Sequence, residues 1–188
     1  TDWRPSAAIP TLRQRAALLN VVRDFFRARG VLEVETPVAL SRTVTDVQIA
    51  SMRLQADSER WLQTSPEYPM KRLLAAGSGD IFQVCRVFRE GESGRLHNPE
   101  FTMVEWYRLG FGLDQIMQET ATLAAALLAA GGRSAPAIES ITYAEAFKRA
   151  LDCDPLTAPL ESLAALAARH GLASSSIADA SRDDLLDF

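Results

Sequence analysis

Between positions 89 and 107 the chain carries residues of the types and spacing needed to grip a phosphate and an amine. Arg89 closes an alternating run, Ile81–Arg89, while Phe101, Glu105 and Tyr107 lie in a second, Phe101–Arg108. Side chains in an extended strand alternate faces. Phe101, Met103, Glu105 and Tyr107 therefore share one face of the second run, and Thr102, Val104 and Trp106 share the other. Gln83, Cys85, Val87 and Arg89 have common parity on the first. A guanidinium at a strand exit presents a planar fork that binds phosphate bidentately. Phe101 offers a flat surface to a purine, and Glu105 and Tyr107 offer a carboxylate and a hydroxyl to an amine. The polar loop Glu90–Pro99 adds Glu90, Gly91, Glu92, His97 and Asn98, with His97 a candidate phosphate contact. The same alternation also fits a half-buried hairpin whose charges are solvated.

The surrounding pattern predicts the elements that must hold these residues. Thr11–Arg29 is periodic for an amphipathic helix, with Leu12, Ala16, Leu19, Val22 and Phe26 on one stripe, a capping box at Thr11 and Gln14, and Gly30 as its stop. A short strand, Val31–Pro37, follows. Leu62-Gln63-Thr64-Ser65-Pro66-Glu67 leads into a helix over Pro69–Ala76 that Gly77 ends. Further helices are expected at Leu113–Ala130, from a Thr142/Glu145 capping box through Ala150, at Pro159–His170 with Leu160, Leu163 and Leu166 inward, and from Ser181 onward. His170 beside a helix stop reads as a capping or surface residue.

Composition sets outer limits. With 188 residues, 47% hydrophobic and 23% charged, the chain is expected to be one ordinary globular domain. No apolar run approaches the ~20 residues of a membrane span. A net charge of −4 gives no electrostatic footprint for nucleic acid. Cys85 and Cys153 are too few for a disulfide framework and suit a reducing cytoplasm, with Cys85 expected as a small core residue. No cluster has metal-ligand spacing.

Several strings taken together resemble a known family. Phe88-Arg89-x-x-Glu92 followed by HNPEFTMVEWY is similar to motif 2 of class II aminoacyl-tRNA synthetases in its lysyl-type form. The helix-strand-proline unit ending at Pro37 looks like motif 1, which in that family forms the dimer interface. Ser65-Pro66-Glu67 resembles a segment whose glutamate meets the amino group of the substrate amino acid. The resemblance implies an α+β fold, an antiparallel sheet flanked by helices. It implies ATP with Mg2+, the metal coming mainly with the nucleotide. It places Arg89 at the α-phosphate, Phe101 beneath adenine, His97 and Asn98 near the nucleotide, and Ser65, Pro66, Glu67, Glu105 and Tyr107 around the amino acid. The family glutamate of the motif 2 loop aligns with Gly91, so the acid that meets ATP is either Glu90 or Glu92.

Within the family the chain looks like a shortened, lysyl-type form. Only about ten residues precede the helix at Thr11, with no room for an anticodon-binding domain, and Glu105-Trp106-Tyr107-Arg108 has the form of enzymes that act on β-lysine. That likeness implies a lysine side chain of elongation factor P as acceptor in place of tRNA, and a homodimer through motif 1. No glycine-rich motif ending in arginine follows, so a C-terminally truncated catalytic domain is expected. Two alternatives stay open: the catalytic core of a true lysyl-tRNA synthetase, and a non-catalytic module of the same fold.

Overall fold

The computed structural model describes residues 3–55 and 58–187, Ser174 by its backbone alone. The chain divides into two compact units, Thr1–Pro136 and Ala137–Phe188.

The first unit opens with helix α1, Ile9–Arg27, for which Ala8 is the N-cap and Pro10 sits at the start. Proline is tolerated there because its missing N–H would have no intrahelical partner. Thr11 and Gln14 fall inside the helix, so the expected capping box is not formed. At the other end Val31 N–H reaches Phe26 O (3.1 Å) and Gly30 N–H reaches Arg27 O (3.0 Å), with Gly30 at φ 69°. This is a Schellman closure, and its left-handed residue favours glycine. The expected strand Val31–Pro37 contracts to β1, Leu32–Glu33. Three short strands follow, β2 (Ala39–Leu40), β3 (Arg53–Leu54) and β4 (Arg60–Leu62), in an antiparallel sheet of order β2-β4-β3 that the sequence pattern did not signal. Helix α2 spans Glu67–Ala75, starting directly after Pro66 and two residues earlier than expected.

Strands β5, Ile81–Phe88, and β6, Glu100–Tyr107, form the antiparallel hairpin. Its register pairs Ile81 with Tyr107, Gln83 with Glu105, Cys85 with Met103 and Val87 with Phe101. β1 adds to β5 in parallel, so this sheet is mixed, with order β1-β5-β6. Helix α3, Leu113–Ala130, completes the unit.

One face of the hairpin is covered by α1 and α3. Val22, Phe25, Phe26, Val31, Phe82 and Leu123 form its core, with Val84, Val104 and Trp106 packed against them. Phe26 stacks on Phe82 at 4.6 Å between centroids and tilts against Trp106 at 5.3 Å. Aromatic pairs in such geometry contribute about 0.5–1.5 kcal/mol beyond their burial. Of the predicted helical stripe, Val22 and Phe26 are buried, whereas Leu12 near the helix start is exposed. A polar clamp ties the same face together. Buried Glu119 on α3 accepts from Trp106 Nε1 at 3.1 Å and pairs with Arg108 (3.5 Å) and Arg29 (3.7 Å).

The second unit consists of helices α4 (Tyr143–Leu151), α5 (Leu160–Arg169), α6 (Ser174–Ala178) and α7 (Arg182–Asp187). The Thr142/Glu145 capping box forms, and Ser181 and Asp184 cap α7 in the same manner. Cys153, Leu163, Ala167 and Leu185 make its core. Leu160, expected inward, is exposed at the first position of α5, where no preceding turn covers it. The short α6 was not expected from the serine run.

Candidate active site

The face of the hairpin opposite α1 and α3 carries the chemistry. Because β5 and β6 pair in register, the residues of common parity fall on one surface: Gln83, Cys85 and Val87 on one strand and Phe101, Met103, Glu105 and Tyr107 on the other, with Arg89 just past the end of β5. The sheet pleat thus turns two alternating sequences into one continuous floor.

At one end Ser65, Glu67, Glu105 and Tyr107 meet. Ser65 Oγ donates to Glu105 Oε2 at 2.6 Å and accepts the Glu67 N–H at 3.0 Å. Tyr107 donates its hydroxyl to Glu105 Oε1 at 2.7 Å. Both carboxylate oxygens of Glu105 are therefore held. Burial, the hydrogen bond to Glu105 and the nearby carboxylates all push the Tyr107 hydroxyl far above its usual ionisation range, so it stays a neutral donor. Pro66 is fully buried and its carbonyl accepts the Met70 N–H at 3.0 Å, which anchors the start of α2 and the direction of Glu67. The Glu67 carboxylate is paired with Lys71, one turn further along α2.

At the other end stands Arg89. Its N–H bonds to Pro99 O at 2.9 Å, closing the loop, and its guanidinium lies 5.1 Å from the Phe101 ring centroid. Its Nη1 is 3.5 Å from Glu92, and its Nε is buried without a hydrogen-bond partner among the described residues. Glu92 is partly buried and turned toward Arg89, whereas Glu90 and Gly91 are exposed; Glu90 engages Ala50 O through its backbone N–H at 2.9 Å. His97 and Asn98 have exposed side chains in the loop, where the His97 backbone pairs with Gly94. The structure brings Ser65, Glu67, Glu105 and Tyr107 into one cluster and Arg89, Glu92 and Phe101 into another, with His97 and Asn98 outside both.

The floor between the clusters holds residues to which no role was assigned from sequence. Gln63 donates to Arg86 O at 2.8 Å, and Thr36 donates to Gln83 at 3.0 Å. Gln63 Oε1 and Thr64 Oγ1 are buried without partners among the described residues. Their signal was a polar run, Gln63-Thr64-Ser65, lying directly before a helix that faces a ligand-type strand. Cys85 is half-buried on this floor and is not the core residue expected, because its strand parity matches Gln83. Burial raises its thiol pKa, the Gln83 and Gln63 amides oppose that shift, and Glu105 adds to it.

The sheet that carries this floor is mixed and has its helices on one face, where an antiparallel sheet flanked by helices was expected, because β1 joins β5 in parallel. The chain belongs to the class II tRNA synthetases of the D, K and N group, whose family model matches residues 1–182. A curated relative is the elongation factor P–(R)-β-lysine ligase of Pseudoalteromonas translucida (strain TAC 125). The two are 48% identical over 191 residues, which cover 98% of this chain and 57% of the relative. The chain thus spans a little over half the length of that protein.

Proposed function

We propose that this protein activates (R)-β-lysine with ATP and transfers it to a lysine side chain of elongation factor P. The observation that carries the proposal is the shared strand face, which sets a carboxylate–hydroxyl cluster for an amine at one end and, at the other, an arginine whose buried Nε–H has no partner among the described residues. Phe101 and Glu105 lie four residues apart on one strand, about 13 Å at the usual rise, which leaves room between them for an amino acid joined to a phosphate. The name of the relative supports the choice of amino acid and acceptor.

Arg89 meets the α-phosphate, Phe101 lies beneath adenine, and Glu92 is the acid that orients Arg89 and meets the nucleotide; Glu90 and Gly91 shape the loop. His97 and Asn98, exposed in the same loop, stand on the nucleotide side of this reading. Ser65, Pro66, Glu67, Glu105 and Tyr107 hold the amines, since a buried ammonium needs a charged partner. A substrate carboxylate oxygen attacks the α-phosphorus and pyrophosphate leaves; the neutral amine of the acceptor lysine then attacks the acyl carbon of the mixed anhydride, forming the amide as AMP and a proton leave. The protein positions the reactants and neutralises charge, with no nucleophile of its own. Mg2+ arrives with the phosphates; the described residues include no group of three or more His, Cys, Asp or Glu arranged for a metal.

Residues 1–188 supply the motif 1 and motif 2 portion of a class II catalytic domain. Exposed Ile9, Leu12 and Leu32 on α1 and β1 support a homodimer through that region. The net charge of −4 favours a protein acceptor over tRNA, and no described helix is long and apolar enough to cross a membrane. A cytoplasmic site of action accords with a target in translation. The test is ATP–pyrophosphate exchange by the complete protein with each lysine isomer, followed by transfer to elongation factor P. Stronger exchange with α-lysine and transfer to tRNA would instead identify a lysyl-tRNA synthetase.

A further inference from the structure

The carboxylate assigned to a substrate amine is already engaged by a cation of the protein. Glu67 opens α2 and Lys71 lies one turn later, so their side chains are neighbours on one helix face, and the Lys71 ammonium rests on Glu67 Oε1. Glu67 in turn is tied to the Glu105 cluster, because Ser65 Oγ bridges the Glu67 N–H and the Glu105 carboxylate. The hydrogen bond from Lys71 to Glu67, the charge of Glu67 and, further off, that of Glu105 all hold Lys71 in its protonated form. An exposed pair at this spacing is too weak for folding to depend on it.

We propose that Lys71 is a specificity-determining residue, setting the charge of the amine-recognising cluster so that it accepts an amino acid and disfavours a diamine. Glu67 and Glu105 bring two negative charges and Lys71 one positive. The cluster therefore carries a single net negative charge, the complement of a substrate with two ammonium groups and one carboxylate. Without Lys71 the two carboxylates would match two ammonium groups with no carboxylate at all. The ammonium of Lys71 also occupies one oxygen of Glu67, which leaves the other for the substrate and limits how many amines the carboxylate can hold. This inference rests on the proposed recognition of an amine by Glu67 and Glu105.

The experiment uses the complete protein and two variants, Lys71→Met and Lys71→Arg. ATP–pyrophosphate exchange with β-lysine is measured alongside its inhibition by cadaverine, the five-carbon diamine without a carboxylate, and thermal melting is recorded to verify that each variant folds. In Lys71→Met the inhibition constant for cadaverine should fall by roughly two- to threefold relative to the KM for β-lysine, because the variant loses the attraction of Lys71 for the carboxylate that only β-lysine carries, a unit charge on the order of 7 Å away in water. Lys71→Arg should retain the wild-type ratio. If Lys71→Met supports exchange but leaves the ratio unchanged, the role given to Lys71 is wrong while amine recognition by Glu67 stands. If the wild-type protein shows no exchange with any lysine isomer, both the functional proposal and this inference fail.

Discussion

Ser65 Oγ donates a 2.6 Å hydrogen bond to the carboxylate of Glu105, across forty positions of sequence. The same oxygen accepts the Glu67 N–H, so one hydroxyl sets two acids on different elements. Ser65→Ala should weaken amino-acid binding about tenfold, in line with the ~1.5–3 kcal/mol of a hydrogen bond to a charged group, while ATP binding changes little. Titration calorimetry with each ligand reports both constants. Equal weakening of both would show that Ser65 does not act through Glu105.

Arg89 has one N–H buried without a partner among the described residues. That donor suits an incoming anion. Arg89→Ala should abolish adenylate formation in the complete protein while its melting temperature moves by only a few degrees. Arg89→Lys should restore little, because an ammonium cannot present the bidentate fork. Persistent pyrophosphate exchange in Arg89→Ala would remove Arg89 from the site.

Glu119 works on the opposite face of the hairpin. It accepts from Trp106 and faces Arg29 and Arg108. Glu119→Ala leaves two cations and an indole N–H without their shared acceptor, and should cost about 3 kcal/mol of stability. Glu119→Gln keeps an acceptor for Trp106 and should cost less than half of that. Urea unfolding of the two variants gives the comparison, and near-equal losses would show that the charge of Glu119, and not its hydrogen bond to Trp106, carries the whole contribution.

Tyr107 has its hydroxyl pKa raised well above the ordinary value of 10.0, by burial first and then by Glu105. Below pH 10 the group is protonated in both the folded and unfolded states, so its full contribution to stability is present. As pH rises past 10 the unfolded chain ionises while the folded one resists, so stability falls. Melting temperatures between pH 9 and 11 should drop more steeply for the wild type than for Tyr107→Phe. Parallel curves would mean that Tyr107 ionises as easily folded as unfolded.

What the sequence determined was periodicity and therefore faces. Alternation alone placed Phe101, Glu105 and Tyr107 together and Trp106 with Val104 on the other side, and the structure keeps that division. Gly30 and Gly77 marked helix ends, because a left-handed residue is easily read as glycine. Local signals were weaker at helix starts: Thr11 and Gln14 have capping-box chemistry, yet Pro10 and Ala8 carry α1 further back.

Only the tertiary structure decided which distant residues meet. The bridge from Ser65 to Glu105, the choice of Glu92 over Glu90 as the acid facing Arg89, the parallel pairing of β1 with β5, and the convergence of Arg29, Arg108 and Trp106 on Glu119 all depend on register and packing between elements. Sequence spacing carries the period of an element but not the angle or depth at which two elements come together. A side chain's partner is fixed by that geometry, and so the chemistry of single residues was legible in the chain while their assembly was not.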